Sequence, residues 1–247
     1  MRGCIGIIAR VNSTRLSEKH FIKINRIPIL SYLLKRILFK FNDHILSETL
    51  DLIILTGSKR LNHKFEYFKK KFNLNIFYGD ENNIPLRIYN ALSSNKYSYI
   101  LLIEGDDILT SMDGARLIHS NILKHVKCCK TISYPFGMNS MGFSFDHLNF
   151  YKNKFINKKN IDTGYKTVLE NNCLIIDKPI SWNKNLRFTL DYKEDINFFS
   201  KIINSDLKVE TATDKDIIDF VIKNKIYKYN SGIIKKYWKN YEITKNE

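Results

Sequence analysis

The sequence contains no long apolar run, no internal repeat and no extended linker rich in glycine, proline or serine. A membrane-spanning helix needs roughly 18 consecutive apolar residues, so we expect no membrane partner. The N-terminal stretch MRGCIGIIARVNSTR turns polar too soon for a secretory signal, and we therefore expect a cytoplasmic protein. The lack of linkers predicts a single domain over residues 1–247, with a small inserted lobe at about 134–186.

Cysteine is scarce and is not spaced for zinc binding. The four cysteines form no C-x-x-C pair, and no histidine or cysteine falls at zinc-ligand spacing. We expect reduced, buried thiols at all four positions, which are Cys4, Cys128, Cys129 and Cys173.

Arginine is also scarce, although the formal net charge is +15. Only 9 of the 40 basic residues are arginines, and the lysines are spread over the whole chain. A surface selected for phosphate contacts is typically richer in arginine, whose guanidinium binds phosphate with two parallel hydrogen bonds. We therefore expect no nucleic-acid partner, but a basic field that concentrates a small polyanion such as a nucleoside triphosphate.

Short apolar runs alternate with amphipathic stretches along the chain, which predicts an α/β protein. The predicted strands are Cys4–Ile8, Leu50–Leu55, Leu74–Phe77, Tyr99–Ile103, Thr131–Tyr134, Met141–Ser144, Cys173–Ile176 and Arg187–Thr189. The predicted helices are Pro28–Phe41, Lys59–Phe72, Ile84–Ser93, Met112–His125, Lys193–Ile203 and Lys215–Asn224, and Phe150–Asp162 is a predicted loop. This order favours a Rossmann-like, doubly wound, mostly parallel sheet.

Polar residues follow three of these strands, where doubly wound sheets bind their ligands. The loop after the first strand carries three cations and two hydroxyls, which suit a triphosphate: Arg10, Ser13, Thr14, Arg15 and Lys19. It lacks glycine, so it is neither a Walker loop nor a dinucleotide-binding fingerprint. The alternative interpretation is a solvated basic loop that caps a strand.

Aspartates follow two other strands. Asp106 and Asp107 come after Gly105, and Asp191 follows the late strand. Such carboxylates can hold Mg²⁺ together with phosphate oxygens. An aspartate here could instead cap the helix that begins near Met112.

Several ordered motifs resemble the cytidylyltransferases that make CMP-activated acidic sugars, such as the CMP-KDO and CMP-sialic acid synthetases. The spore coat polysaccharide biosynthesis type is the most similar branch. ARVNSTRLSEK, which begins at Ala9, resembles A-R-x-x-S-T-R-L-x-x-K. NRIPILSYLL, GDENNIPLRIYNA, GDDIL and RFTLDYKEDI follow in the family's order, and YPFGMNSMGFS lies where the family has Y-P-D-G-L-D-V-E-V-F-S.

The resemblance implies a nucleotidyltransferase, GT-A-like fold and the transfer of CMP from CTP to an acidic sugar, with release of pyrophosphate. Such a reaction serves surface polysaccharide or glycoconjugate biosynthesis, and a homodimer is expected. Ala9, Arg87 and Gly105 would lie beside the nucleotide, while Arg10 and Lys19 hold the triphosphate in a loop shaped by Ser13, Thr14 and Arg15. Asp106 and Asp191 would ligate Mg²⁺, and Tyr134, Asn139 and Met141 would face the acceptor.

Some residues depart from the family pattern. Asn12 replaces a glycine, Ser17 and Glu18 replace Pro-Gly, and Asn139 and Met141 replace an aspartate and a glutamate on the acceptor side. Either a changed acceptor or a degenerate site would produce this pattern.

Two other functions stay open. One is a GT-A-type glycosyltransferase that binds its metal through Asp106 and Asp107. The other is a basic RNA-binding or scaffold protein, for which the tail Ile233–Tyr241 is the candidate surface, although a packed helix or a dimer contact also explains that tail.

Overall fold

The computed structural model describes residues 1–13, 15–162, 164–176 and 186–246, the last four without their side chains. Its strands are β1 Gly3–Ile8, β2 Lys23–Ile24, β3 Ile27–Pro28, β4 Leu50–Thr56, β5 Asn75–Tyr78, β6 Tyr99–Glu104, β7 Cys128–Thr131, β8 Met141–Ser144 and β9 Leu174–Ile176. Seven of them form one sheet in the order β5-β4-β1-β6-β8-β7-β9, and β2 and β3 form a separate hairpin.

Parallel pairing dominates this sheet. β1 pairs in parallel with β4 and β6, β4 with β5, and β7 with β9, whereas β8 runs antiparallel to both of its neighbours. Every residue of β1 is buried, as expected for a central strand with helices on both faces. The predicted fold class, a mostly parallel α/β sheet, is confirmed.

Helices cover both faces of the sheet. They are α1 Leu30–Lys40, α2 Asn42–Leu46, α3 Lys59–Asn62, α4 Glu66–Phe72, α5 Ile84–Asn95, α6 Met112–Leu123, α7 Phe145–Tyr151, α8 Tyr165–Leu169, α9 Lys193–Ile203, α10 Asp214–Lys223 and α11 Ile234–Asn246. In the part of the chain that is described, no helix is long and apolar enough to cross a membrane.

Local sequence signals explain several helix starts. The Asn83 side chain accepts a hydrogen bond from the Leu86 N–H at the start of α5, and the Ser111 hydroxyl accepts one from Gly114 at the start of α6. These side chains satisfy backbone donors that have no partner within the first helical turn.

The predicted helix over 59–72 is interrupted. Two short helices flank a 3₁₀ turn over His63–Phe65, directly after the fully buried Asn62. The Asn62 side chain accepts a hydrogen bond from the Val11 N–H at 2.9 Å and donates to the Ser58 carbonyl and the Glu81 carboxylate. The predicted helix is therefore interrupted at the position where Asn62 contacts the loop after β1.

Two strand predictions need correction. The strand predicted over 131–134 lies earlier, at Cys128–Thr131, where the two cysteines are buried in the sheet. Residues 187–189 form no strand, and only a single bridge joins Arg187 to Phe136. A single bridge is enough to position this segment, because ion pairs of the neighbouring side chains hold it in place instead of a row of backbone hydrogen bonds between strands.

Two cysteines are not isolated thiols. Cys128 and Cys173 lie sulfur to sulfur as a disulfide, with Cα atoms 4.5 Å apart, because β7 and β9 are neighbouring strands. The expectation of four reduced thiols is therefore wrong for this pair, whereas Cys4 and Cys129 are free and buried.

Residues 134–176 contribute to the main body rather than standing apart from it. They supply β8 and β9 to the sheet, and residues of α7 and α8 share one apolar core with α5. Residues 177–185, which complete the predicted lobe, lie outside the described part of the chain.

A separate apolar core forms beneath α9 and α10, and Phe198 belongs to it. The fully buried Phe198 ring contacts the Phe188 and Phe199 rings at centroid distances of 5.2 and 5.3 Å. We expect Phe198→Ala to lower the free energy of unfolding by about 3–5 kcal/mol, because it removes buried area and leaves a cavity. Urea unfolding measures this, and Phe150→Ala at a 78% exposed position is the control, with a change within about 0.5 kcal/mol. Equal losses in the two variants would contradict this account of the core.

Candidate functional site

A cavity of about 650 Å³ opens at the carboxyl ends of β1 and β6. This size suits a nucleotide or another small ligand. The predicted site residues that line it are Ala9, Arg10, Ser13, Arg15, Lys19, Arg87, Asp106 and Asp191. Thr14 lies outside the described residues.

Backbone hydrogen bonds hold together the three segments that carry the central charges. The Gly105 N–H donates to the Ile8 carbonyl at 2.8 Å, which joins the ends of the parallel strands β1 and β6. The Leu190 N–H donates to the Asp106 carbonyl at 3.0 Å and brings Asp191 to the same edge. The sheet therefore fixes where the loops meet.

Gly105 stands at the tightest of these junctions. A Cβ atom there would lie 2.9 Å from the Ile8 carbonyl oxygen and 3.0 Å from both the Ala9 Cβ and the His20 Nε2. Only glycine fits without a shift of the backbone. Gly105 therefore sets the distance between the loops after β1 and β6, but it is not among the residues that line the cavity, and its predicted role beside the nucleotide stays a prediction.

The centre of the cavity is an ion-pair cluster around Lys19. Its Nζ lies 2.5 Å from Asp106 Oδ2 and 3.0 Å from Asp191 Oδ1, and the side chain is almost fully buried. Arg15 adds a second cation, 2.8 Å from Asp191. The two carboxylates predicted to bind metal therefore converge on one position, which an ammonium group occupies.

Burial and charge act in opposite directions in this cluster. Burial lowers the pKa of Lys19, but Asp106 and Asp191 outweigh it and raise that pKa above its ordinary value. Burial likewise raises the pKa of Asp106, and the neighbouring cations, Lys19 first, bring it down to about 2. His20 stays neutral, because burial and the Lys19 charge lower its pKa to about 4.

Asp191 is also held by a buried arginine, Arg187. Arg187 Nη2 donates to Asp191 Oδ2 at 3.1 Å, and the same guanidinium forms two hydrogen bonds to Asp195. Asp195 also accepts hydrogen bonds from the backbone N–H groups of Asp191 and Tyr192 at the start of α9. Asp195 therefore caps the start of α9 and, through Arg187 and the Asp191 backbone, orients Asp191.

Arg10 and Arg87, two of the three arginines predicted near the nucleotide, differ in what they contact. Arg10 forms a half-exposed ion pair with Asp162 at 2.5 Å. The buried Arg87 guanidinium instead donates to three backbone carbonyls, those of Leu55, Asp80 and Glu81. Arg87 therefore fixes the loop before α5, whereas Arg10 presents a guanidinium on a partner that an anion could displace.

The sequence did not reveal a second polar cluster, which α8 brings to the cavity. Tyr165 donates its hydroxyl hydrogen bond to Glu104 Oε1 at 2.5 Å, and Lys166 lies 2.9 Å from the same oxygen. The neighbouring Asp107 accepts a hydrogen bond from Thr189, and burial and the charge of Asp106 raise the pKa of Asp107. No local motif marks Tyr165 or Lys166, since they reach the site through tertiary packing.

The predicted acceptor residues do not come to this cavity. Met141 is buried in β8, Tyr134 is buried in the core beneath α9, and Asn139 forms hydrogen bonds with the backbone of Tyr134. Phe136 is the member of this segment that lines the cavity, in place of those three residues. Gly137 has a φ of +86° and packs against the Phe188 backbone, a turn that leaves Phe136 facing the ligand space.

The aromatic C-terminal tail closes one end of the cavity. Its residues 234–246 form α11, as the packed-helix interpretation of the tail predicted. The residues of this helix that line the cavity are Tyr237, Trp238, Asn240 and Tyr241.

The donor set fits Mg²⁺ in one specific way. Among the described residues, no group of three or more His, Cys, Asp or Glu side chains converges as a complete metal cage. Asp106 and Asp191 nevertheless share a cation position, and Mg²⁺ commonly takes one or two carboxylates together with substrate phosphates and water. These residues therefore fit a metal that arrives with a phosphate ligand.

Comparison with known proteins places the fold. No family model matches the chain. An uncharacterised protein of Methanocaldococcus jannaschii is 28% identical over 255 residues, an alignment that covers 96% of this chain and 98% of that protein.

Solved structures are more informative than sequence relatives. A cytidylyltransferase from Leptospira borgpetersenii superimposes with a TM-score of 0.78 at 20% identity, covering 93% of this chain and 98% of that one. The chain has the nucleotidyltransferase fold.

Two further structures share the nucleotidyltransferase fold more distantly. A CMP:2-keto-3-deoxy-manno-octonic acid synthetase complexed with CTP has a TM-score of 0.59 at 10% identity, covering 84% of this chain and 100% of that one. A 4-diphosphocytidyl-2C-methyl-D-erythritol synthase from Anaerococcus prevotii has a TM-score of 0.57 at 14% identity, covering 83% and 99%.

The Lys19 cluster makes a pH-dependent contribution to stability. Lys19→Met leaves the partly buried Asp106 without its ion-pair partner and removes one of the three cations that contact Asp191, so we expect the free energy of unfolding at neutral pH to fall by about 3 kcal/mol. The pKa of Asp106 is about 2 in the folded protein, below the ordinary value of about 3.9. Its ionised form therefore stabilises the wild-type protein above about pH 4, and this stabilisation is lost as the pH falls towards 2. The difference in the free energy of unfolding between the wild-type and Lys19→Met proteins should shrink over the same pH interval.

Urea unfolding at a series of pH values measures this difference. Lys64→Met is the control, because Lys64 forms an exposed ion pair with Glu18 that contributes at most about 1 kcal/mol. A Lys19→Met deficit that stays constant from neutral pH down to pH 2 would show that Asp106 does not depend on this lysine.

Proposed function

We propose that this protein transfers CMP from CTP to a hydroxyl group of an acidic sugar or a related hydroxylated acceptor and releases pyrophosphate. The observation that carries the proposal is the Lys19 cluster, in which two carboxylates and two cations meet at the carboxyl ends of the strands. The motifs around these residues resemble those of cytidylyltransferases, and three structures with this fold bear cytidylyltransferase or cytidylyl-synthase names.

The charges of the cluster can be redistributed by a triphosphate. Lys19 and Arg15 are paired with carboxylates, and a polyanion would compete for both cations. When these cations turn towards phosphate oxygens, Asp106 and Asp191 become free to bind a divalent cation. Nucleotide and metal would therefore bind cooperatively, because each neutralises the charge that the other exposes.

The chemistry needs positioning more than covalent participation. The acceptor oxygen forms a bond to the α-phosphorus while the bond to the β-phosphate oxygen breaks, and pyrophosphate leaves with the electron pair. The hydroxyl proton is released to water. Arg10, Arg15 and Lys19 hold the phosphate chain and stabilise the charge that develops on the leaving group. Mg²⁺, held by Asp106 and Asp191, would supply further neutralisation of the phosphate oxygens.

The geometry disfavours the glycosyltransferase alternative, which would bind metal through both Asp106 and Asp107. Asp107 is buried against the Thr189 hydroxyl, and its pKa is raised by burial and by the Asp106 charge. A buried carboxyl group whose ionisation is disfavoured by its surroundings is a poor second ligand. Asp191 is the better partner for Asp106, since both reach the same Lys19 nitrogen.

The metal role of Asp106 has a direct test. We expect Asp106→Asn to lower turnover by at least about a hundredfold, because the amide keeps the shape of the carboxylate but not its charge. Pyrophosphate release from CTP and Mg²⁺ with a panel of acidic sugars measures turnover, and EDTA should abolish it in the wild-type protein. Asp43→Asn, an exposed carboxylate on α2, is the control. Near-normal turnover of the Asp106 variant would refute this assignment.

Arg10 tests the triphosphate loop separately. We expect Arg10→Ala to reduce kcat/KM for CTP by about ten- to a hundredfold, since a charge-assisted contact to phosphate is lost. Stability should change little, because the Arg10–Asp162 pair is partly exposed and weakly stabilising. Arg60→Ala, on the exposed surface of α3, is the matched control. An unchanged kcat/KM would place the triphosphate elsewhere.

A further inference from the structure

The end of the cavity beside Asp191 is lined by four aromatic side chains, which we call the aromatic wall: Phe136, Tyr237, Trp238 and Tyr241. We propose that the aromatic wall is the acceptor subsite and stacks against the apolar face of a pyranose-type sugar ring. The inference rests on the proposed function, because it takes the second substrate to be a sugar.

The four rings form one continuous surface. Phe136 lies 5.0 Å from Tyr237 and 5.3 Å from Trp238, measured between ring centroids. Tyr241 stacks on Tyr237 at 6.3 Å and meets Trp238 edge-on at 5.7 Å. Two elements far apart in the sequence, the turn before β8 and the helix α11, therefore build a single platform.

Within this platform, the Trp238 indole is the most exposed of the four rings. Trp238 is 45% exposed at the cavity, whereas the neighbouring Tyr237 is buried. Exposing a large aromatic ring to water is unfavourable, and a continuous apolar surface that stays exposed is a mark of a ligand-binding groove. Burial of the indole by a sugar ring would remove this exposed apolar area from water.

A buried arginine fixes the wall relative to the reacting groups. The Arg187 guanidinium carbon lies 4.5 Å from the centroid of the Tyr237 ring and 5.4 Å from that of Phe136. The same guanidinium forms ion pairs with Asp191 and Asp195. One side chain thus fixes the positions of both the predicted metal ligand Asp191 and the aromatic wall. An acceptor bound to the wall would therefore lie beside the phosphate-binding groups.

Other residues of the cavity lining suit the nucleotide better. They are Ala9, Ile84 and the Arg10–Asp162 pair, together with Arg87, which fixes the loop before α5. Lys19 contacts Asp106 and Asp191, and Arg187 links Asp191 to the aromatic wall. With the base beside Ala9 and the phosphates at Lys19, the acceptor hydroxyl would approach from the aromatic wall.

Polar groups at the wall complement the rings. Arg15 lies 5.3 Å from the Tyr237 ring centroid and is about a third exposed, so the guanidinium that holds the phosphate chain also borders the wall and adds positive charge beside a bound sugar. Asn240 donates to the Tyr192 hydroxyl at the same rim. Apolar stacking below and cationic contacts at the edge match a carboxylated sugar ring.

The test compares acceptor and nucleotide affinities in Trp238→Ala, Trp238→Phe and the wild-type protein. The probes are 3-deoxy-manno-octulosonic acid, N-acetylneuraminic acid and CTP with Mg²⁺. Isothermal titration gives the Kd of each probe, and pyrophosphate release gives KM wherever turnover occurs. Phe150→Ala, a substitution of an exposed aromatic residue on α7 outside the cavity, is the matched control.

Trp238→Ala should raise the Kd or KM of at least one sugar by about five- to tenfold, the value of one lost stacking contact. The same variant should leave the Kd of CTP within about twofold, and Trp238→Phe should restore most of the sugar affinity. The chain has two tryptophans, so a Trp182→Phe substitution leaves Trp238 as the only tryptophan that fluoresces. In that background, sugar binding should also change the fluorescence of Trp238.

Three outcomes would overturn the inference: a loss of CTP affinity in Trp238→Ala, unchanged sugar affinity, or no binding of either sugar to the wild-type protein. The first would assign the wall to the cytosine base. Failure of the wild-type protein to bind CTP would count separately, against the proposed function, because the sugar titrations do not depend on the nucleotide.

Discussion

The site depends on one buried lysine held between two carboxylates. Lys19 contacts Asp106, 87 residues away, and Asp191, 172 residues away, so one ammonium joins three distant segments. Charges this deeply buried must be paired, because desolvation of an isolated ion is far more costly than any single contact can offset. The arrangement is therefore stable only while its charges are neutralised. An anionic ligand can neutralise the cations, and a divalent cation can neutralise the carboxylates.

Arg187 extends this constraint towards the C-terminal helix. It forms ion pairs with Asp191 and Asp195, and Asn230 donates hydrogen bonds to the Arg187 carbonyl and to Asp195. The rings of Phe136 and Tyr237 lie on its guanidinium. A displacement of α11 would thus disturb the carboxylate that faces Lys19. The phosphate-binding centre and the aromatic wall are mechanically one unit.

Prediction from the sequence succeeded where local pattern and final structure share one cause. The apolar runs around β1, β4 and β6 became the central strands because continuous hydrophobicity suits a strand buried on both faces. Prediction failed where contacts between segments distant in the sequence decide the structure. Residues 187–189 form a single bridge, and Cys128 and Cys173 meet only because β7 and β9 are neighbours. Spacing along the chain carries no signal for such contacts.

The sequence by itself determined the α/β class, the basic loop after β1 and the two aspartates that meet it, since these follow from periodicity and from residues at strand ends. Only the tertiary structure decided which side chains face the ligand space. It turned Phe136 rather than Met141 into the cavity, brought Lys166 from α8 and placed α11 across the opening. The physical reason is that side-chain direction depends on packing against residues distant in the chain, and no local pattern encodes it.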